Sequence, residues 1–478
     1  MDDFEDILCR DKLMALAQEV ASEVSAGLKA GTLRKTIQRS ILWKPTEFSY
    51  GENGVETAAK SPHVLHKQSW GQAIFSLQGT LSMSKAYDEA FAACKGLWHG
   101  RWDLSWGFRH FVRGLTQHIV EEGAGTGPSI KGLIDKYVGE LLGHPQAYHA
   151  QVCIQGIVVS PKAVEFSSCG MDVKIRQVLA EDLQEEVPVD ERATGFPPTS
   201  TPVYGLPTAV LEISGEASDA NEASFTVWRS LVLLSLFRVG SVRYLWYGMN
   251  GEWTNDIWGE GVRSTSESFG GEERYTLLDT DSRMLQRFWD SVWPSIPEPF
   301  YWNEGGSAHS ALINAHDRYL DGLKHDPLLE RRIAHAVMGL ESLLLRGRGA
   351  LAYQFRMLGA RLLGSIAGDP DSTRRTLGDA YTVRSVFLHG GRLKGKAARR
   401  ICRKYGSLEK LATKTLDCLR HVILIFLSAG REKGEVCDLI EGAMVGSQGQ
   451  VALDALLSEY QSWLTPDADD APGADSRG

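Results

Sequence analysis

"VRSVFLHGG" occupies residues 383–391, and the whole chain reads differently according to whether it is chemistry or only the end of a helix. An arginine, four residues, a histidine and two glycines make an R-x(4 to 6)-H match. Two others occur, Arg113/His118 in "FVRGLTQHIV" and Arg318/His325 in "DRYLDGLKH", so context has to decide. Two glycines after a periodic stretch end a helix, which puts His389 at a terminus where side chains reach solvent. Nothing stops the helix at His118, and glutamates follow it. Arg318/His325 reads as surface polar residues of a different helix. On a regular helix five residues turn about 140°, so Arg384 and His389 do not share one strict face. They converge if the helix unwinds at the glycines, or across a dimer axis to which each protomer brings both groups.

Charge strengthens the case for this third match. Between Arg331 and Arg431 the chain carries 20 Lys+Arg against 6 Asp+Glu, a balance of +14, while the remainder holds 31 against 54, or −23. Directly after the glycines comes "GRLKGKAARRICRKYG", with Arg392, Lys394, Lys396, Arg399, Arg400, Arg403 and Lys404 as a track for phosphates. Segregation on this scale points to a polyanionic partner. It is equally the sign of a solvated helix face, or of a basic surface docked on the chain's own acidic half, and charge alone leaves these open.

Length and composition set the class. At 478 residues two or three domains are expected, and 43% hydrophobic with 23% charged residues is the make-up of a soluble globular protein. The apolar runs "SLVLLSLF" and "HVILIFLSAG" are too short to span a bilayer. The start "MDDFEDILCR" lacks the apolar core of a signal peptide. Seven scattered cysteines without a C-x-x-C pair speak against a disulfide framework or zinc finger and for reduced thiols in the cytoplasm.

Along the chain the texture changes twice. "DKLMALAQEVASEVSAGLKAGTLRKTIQRSI" spaces its apolar residues by three and four and predicts an amphipathic helix. An aromatic, turn-rich region follows; Trp98, Trp102 and Trp106, spaced at four, are expected to share one buried helix face rather than to stack bases. His99 and His110 lack a metal-ligand pattern. "EEGAGTGPSIKG" has neither the Walker spacing nor an unbroken G-x-G-x-x-G, so it reads as a linker between helices. From about residue 150, "QVCIQGIVVSPKAVEFSSCGMDVKIRQVL", "TAVLEISGEA" and "VRYLWYGMNGEWTNDIW" alternate as strands do, around an apolar helix at "FTVWRSLVLLSLFRV". "EVPVDERATGFPPTSTPVYGLP" predicts a loop, and "VWPSIPEPFYW" a domain boundary. Beyond it every segment is helical: "SALINAHDRYLDGLKH", "PLLERRIAHAVMGLESLLL", "ALAYQFRMLGARLLGSIAG", "DSTRRTLGDAYTVRSVFLHGG" with an acidic cap at its start, "KAARRICRKYGSLEKLATKTLDCLRHVILIFLSAG" and "VALDALLSEYQSWL". Short connections imply an antiparallel bundle.

Within that bundle "YTVRSVFLHGG" resembles the R-x(4 to 6)-H motif of HEPN domains in the form found in ApeA-like HEPN proteins. "AVMGLESLLL" is similar to the family's "ALE-x-L" helix and "FRMLGARLLG" to its next helix, so the resemblance covers residues 307 to 432. Many active members carry Asn, His or Asp after the arginine, where this chain has Ser385. The resemblance implies a metal-independent endoribonuclease, often an abortive-infection effector in bacterial antiphage defence, working as a homodimer. Its chemistry suits the residues. RNA cleavage without metal needs the 2′-hydroxyl proton removed, the leaving 5′-oxygen protonated and the phosphorane charge neutralised; an imidazole does the first two and a forked guanidinium the third. The resemblance thus casts His389 as general acid/base and Arg384 as phosphate stabiliser. It makes Ser385 an orienting donor, Glu341 the acid that faces the motif from a neighbouring helix, and Tyr381 a supporting residue.

The resulting expectation is an α+β protein in three parts. A mixed α/β sensor region spans 1–300, mainly helical over 1–148 and strand-rich over 149–300. An all-α HEPN-like antiparallel bundle spans 307–464, and a disordered tail 465–478. RNA, tRNA among the candidates, is the expected partner and a phage component the expected trigger; no cofactor, metal or membrane is called for. The acidic front half is expected to mask the basic surface until triggered. Two alternatives stand beside it: a non-catalytic HEPN module for dimerisation or RNA binding, and a ligand sensor in the aromatic half.

Overall fold

A computed structural model describes residues 2–51, 54–98, 104–122, 128–188, 206–251, 262–263, 274–301, 310–324, 328–347, 351–367 and 369–463. The chain is mixed α+β, with a strand-rich part in its N-terminal half and an all-helical C-terminal region. The first part runs α1 (Asp2–Ala30), β1 (Thr36–Gly51), β2 (Gly54–Ser69), α2 (Gly71–Leu81), α3 (Lys85–Leu97), α4 (Leu104–Glu122) and α5 (Pro128–Leu141). Leu13, Leu16, Val20, Phe108, Phe111 and Tyr137 fill a core of its own, where Phe111 and Tyr137 stack at 4.0 Å.

Here two sequence expectations fail. Helix α1 stops at Ala30, Gly31 turns left-handed at φ 68°, and "TIQRSI" opens a 16-residue strand instead of prolonging the helix. The β-branched residues of that stretch pair across to β2, and pairing outweighs a three-four spacing that two or three residues satisfied by chance. Trp98 and Trp106 sit on either side of a break, since α3 ends at Leu97 and α4 begins at Leu104; Trp98 is extended and packs on this core. They do not share a helix face, and Trp102 falls outside the described residues. The "EEGAGTGPSIKG" stretch does separate two helices, α4 and α5.

The strand-rich part comprises β3 (Gln146–Gln155), β4 (Ile157–Val159), β5 (Ala163–Ser168), β6 (Met171–Arg176), β7 (Glu185–Pro188), β8 (Ala209–Ala217), α6 (Ala220–Phe237), β9 (Arg243–Gly251), β10 (Val262–Arg263), β11 (Tyr275–Leu277) and α7 (Asp281–Val292). Six strands form an antiparallel sheet in the order β10-β9-β3-β8-β6-β5. The Cys-Gly break is the β5–β6 hairpin turn: Cys169 and Gly170 have φ 52° and 75°, the two left-handed residues a tight two-residue turn needs. Alternation along β3 and β8 sends Val152, Ile154, Leu211 and Ile213 to one face, against α6, and Cys153 and Val210 to the other. On that second face the turn end of the β1–β2 hairpin docks: Phe48, Tyr50 and Val55 pack there, and the Tyr50 hydroxyl donates to the Thr208 carbonyl at 2.6 Å. The segment expected as a loop begins as β7, paired with β1; its residues 189–205 lie outside the described ones.

The bundle comprises α8 (Ala311–Leu323), α9 (Leu329–Leu344), α10 (Leu351–Ala367), α11 (Pro370–Leu388), α12 (Gly395–Tyr405), α13 (Leu408–Ala429), α14 (Lys433–Val445) and α15 (Ser447–Ser462). Helix α13 is its axis, buried on every side from Val422 to Leu427, which explains the run "VILIFL". Helix α14 had no separate expectation, and the tail beyond 463 lies outside the described residues.

The proline-rich "VWPSIPEPF" forms two short 3-10 turns, Trp293–Ser295 and Glu298–Phe300, and does not interrupt the packing. One continuous core runs from the sheet through α6 and α7 into the bundle. Tyr319 donates to the Ser235 carbonyl at 2.8 Å, and Arg420 to the Leu236 and Phe237 carbonyls at 3.0 and 3.1 Å, so bundle side chains satisfy the end of α6. Phe300 stacks on His316 at 3.9 Å, and neither ring nitrogen of His316 has a hydrogen-bond partner among the described residues. Burial pushes that imidazole down to about 3. The unfolded chain therefore takes up a proton below about pH 6.5 that the folded one refuses, and stability falls as pH drops from there towards 3. We expect about 2 kcal/mol lost at pH 5 through this group. Denaturant melts of His316→Met across pH 7.5 to 4.5 should show that slope flattened, with stability at pH 7.5 preserved.

No helix among the described residues is long and apolar enough to cross a membrane.

Candidate active site

Helix α11 begins at Pro370, held by the Asp369 side chain, which accepts from the Asp371 N–H at 2.9 Å. The cap is thus Asp369 with Pro370 at the first turn, two residues earlier than the aspartate expected from the sequence. Leu377, Ala380 and Val383 bury the helix against the bundle. Its other end is closed by backbone alone: Gly391 N–H reaches the Val386 carbonyl and Gly390 N–H the Phe387 carbonyl, both at 2.9 Å, with Gly390 left-handed at φ 73°. His389 is the C-cap and its side chain is exposed. The helix stays regular through Leu388, so the unwinding that was to swing His389 round to Arg384 does not happen. In one protomer the two side chains remain about 140° apart around the helix.

Arg384 points instead at α9. Its Nη2 donates to Glu341 Oε2 at 2.8 Å, and its guanidinium lies over the Tyr381 ring at 5.6 Å, one turn earlier on the same helix. Tyr381 in turn leans on Phe355 of α10, with ring centres 5.6 Å apart. Three of the expected residues thus come together, and Glu341 does face the motif from a neighbouring helix. The pair is incomplete: Arg384 Nε and Glu341 Oε1 are both buried and have no partner among the described residues. Burial raises the Glu341 carboxyl above its ordinary range, and the Arg384 charge and hydrogen bond offset only part of that. Ser385 contributes its backbone carbonyl to the His389 N–H at 3.2 Å; its hydroxyl makes no hydrogen bond among the described residues, so the orienting-donor role is not seen here.

The basic track is the next helix. On α12 Ile401 and Tyr405 are buried, and Lys396, Arg399, Arg400, Arg403 and Lys404 are exposed on the opposite side; Arg392 and Lys394 are exposed in the link before it. No known protein family, curated protein or solved structure matches this chain. The seven cations divide into two groups. Asp379 of α11 accepts from Arg400 at 2.9 Å, Lys404 at 2.8 Å and the Tyr405 hydroxyl at 3.0 Å, which clamps α12 antiparallel to α11. The other five have no acidic partner among the described residues, and all five are exposed. Asp379 escaped the sequence reading, although an acid inside a strongly basic stretch is a signal that something there needs a counter-charge.

Of the other two R-x(4 to 6)-H pairs, one can be followed at its histidine. His118 faces Glu122, one turn along α4, at 3.2 Å. Arg318 is paired with Asp321 on α8, and His325 lies outside the described residues.

Proposed function

We propose that this protein is a metal-independent endoribonuclease of the HEPN type that cuts RNA as a homodimer through its helical bundle. The observation that carries the reading is the Arg384–Glu341 pair seated on Tyr381, five residues before a solvent-exposed histidine and beside five exposed cations with no acidic partner among the described residues. A guanidinium with hydrogen-bonding capacity to spare suits a phosphate in the transition state. An exposed imidazole suits proton transfer. The 2′-oxygen attacks phosphorus as its proton leaves, the P–O5′ bond breaks, and the 5′-oxygen takes a proton. Products then carry 2′,3′-cyclic phosphate and 5′-hydroxyl ends. Because Arg384 and His389 point to different sides of α11, the reacting pair is assembled across the dimer axis, Arg384 from one protomer and His389 from the other.

The setting, antiphage defence by abortive infection with a phage component as trigger, rests on the resemblance of "YTVRSVFLHGG" to the ApeA-like form. Restraint by the front half runs through the shared core, where Arg420 and Tyr319 hold the end of α6, rather than through charge masking.

The test is incubation of purified protein with total RNA and a tRNA pool in EDTA, beside Arg384→Ala and His389→Ala. Fragments from the wild type alone, with cyclic-phosphate ends, support the reading; cleavage that needs magnesium overturns it. A non-catalytic RNA-binding bundle is the second reading, favoured by the idle Ser385 hydroxyl and by the separation of Arg384 and His389 around α11 within one protomer. It predicts binding without cleavage.

Both readings place RNA on α12, and the division of its cations makes a separate prediction. Replacing Lys396, Arg399 and Arg403 together by alanine should lower the slope of log affinity against log salt by about 2, at about 0.7 for each phosphate contact to a single strand. The double change Arg400→Ala/Lys404→Ala should move it less, because Asp379 already neutralises part of that charge. RNA binding measured from 50 to 300 mM salt, read with the cited slope rule, separates the two.

A further inference from the structure

Seven cysteines are reduced in this structure, and two of them touch. Cys9 Sγ of α1 and Cys94 Sγ of α3 lie 3.6 Å apart, although the residues are 85 positions apart in the chain. Both are fully buried in the core that the helices of residues 2–141 keep to themselves. No other thiol–thiol contact occurs among the described residues. A disulfide needs the sulfurs to close from 3.6 Å to about 2.05 Å, a movement of about 1.5 Å.

We propose that Cys9 and Cys94 form a disulfide-forming modification site, converted by a two-electron oxidant of the peroxide class into a cross-link that fastens α1 to α3. Either sulfur can donate to the other. The contact with Cys94 favours a thiolate on Cys9 against burial and the charge of Asp6, and Arg10, next in sequence, places a cation beside Cys9 as the attacking thiol. The same contact with Cys9 and burial hold the Cys94 proton on. The Cys9 thiolate attacks one peroxide oxygen, the O–O bond breaks, and the departing hydroxide leaves as water, so that Cys9 becomes a sulfenic acid. The Cys94 sulfur then attacks the Cys9 sulfur, the S–O bond breaks, and a second water departs with the Cys94 proton. Two thiols lose two electrons and two protons, and one peroxide becomes two waters.

Access comes from local opening. Cys9 sits near the start of α1, where a helix frays, and its core is separate from the one that joins sheet and bundle, so it opens without unfolding the rest. Oxidation of this pair is therefore slower than that of an exposed thiol but goes to a single product.

The experiment uses the full chain carrying Cys169→Ser and Cys402→Ser, which removes the two exposed thiols without touching the pair. The protein is treated with hydrogen peroxide, unfolded, alkylated with iodoacetamide and digested without reduction. The expected result is one linked peptide pair holding Cys9 and Cys94, about 2 Da lighter than its two thiol peptides, released by dithiothreitol. The intact oxidised chain should also run faster on a non-reducing gel, because the link closes an 85-residue loop. Cys153, buried with no second thiol beside it, should stay alkylatable as the internal control. Full alkylation of Cys9 and Cys94 after treatment, or separate sulfinic acids at each, overturns the proposal. Neither outcome depends on a variant of the pair being able to fold.

Discussion

Replacing His389 by alanine is expected to lower RNA cleavage by about 10²–10⁴-fold, the range for loss of a general acid or base, and to leave stability within about 0.5 kcal/mol. Both halves follow from its position. The side chain is exposed, and the motif that ends α11 is built from the backbone of Val386, Phe387, Gly390 and Gly391, so nothing structural leaves with the imidazole. Arg384→Ala should match the loss of activity but not the unchanged stability. It takes away the partner of Glu341, whose second oxygen is already buried without one, and leaves that carboxyl with burial alone acting on it. Arg384→Lys should restore most of the stability and little of the activity, because an ammonium supplies charge without the planar fork. Labelled-RNA cleavage in EDTA, with thermal melts of the same preparations, reads both quantities. Equal cleavage rates for wild type and His389→Ala remove the ribonuclease reading, and RNA binding by both proteins would then favour the binding module.

The second large effect is on stability. Arg420→Ala should cost about 2–5 kcal/mol, chiefly because two buried carbonyls lose their donor; the Asp417 carboxylate left behind is 44% exposed and returns to solvent. Arg420 is fully enclosed and holds several groups at once. One Nη donates to the Leu236 and Phe237 carbonyls at the end of α6, while Nε and the other Nη lie 2.8 and 2.7 Å from Asp417. The second Nη also meets His421 at 2.9 Å, and His421 in turn touches the Tyr460 hydroxyl. Alanine leaves the two carbonyls without donors in a dry interior, and each unmet group adds to the cost. Arg420→Lys retains one charge but cannot reach both sides of the network. Chemical denaturation should place it between wild type and Arg420→Ala. Arg318→Ala, which removes an exposed pair with Asp321, serves as the near-silent comparison. A loss under about 1 kcal/mol for Arg420→Ala, below the cost of even one unmet buried carbonyl, would mean that water replaces the guanidinium at the α6 end. The sheet and the bundle would then be less tightly joined than their common core suggests.

Much of the secondary structure was legible because it is local. Period-two alternation marked β3, β5, β6 and β8, and the turn between β5 and β6 was legible from Gly170, which takes a left-handed conformation without steric cost; that Cys169 joins it at positive φ was not. Helix α11 was legible at its C-terminal end for the same reason: two glycines permit a turn that other residues resist. Its start was read two residues late because Pro370 was not weighed as a first-turn residue. The hairpin β1–β2 was missed because "TIQRSI" satisfies a helical spacing and a strand composition at once, and only its partner strand decides between them. The tryptophans misled similarly: a spacing of four is evidence of a shared face only where the helix is unbroken.

The site divides along the same line. Arg384, His389 and the basic residues of α12 are visible in the sequence because charge and glycine signals are carried by single residues. That Arg384 turns to Glu341, that Tyr381 lies beneath it, and that Asp379 takes two of the seven cations out of play depend on which helices are neighbours. The meeting of Cys9 with Cys94 across 85 positions is of the same kind. The sequence by itself determined where α11 ends, which stretch is basic and which residues bear chemistry, because these follow from the residue and its near neighbours. Only the tertiary structure decided which charges are paired and that the proline-rich segment is no break in the core. Pairing and burial are properties of contacts between distant segments, and no local pattern encodes them.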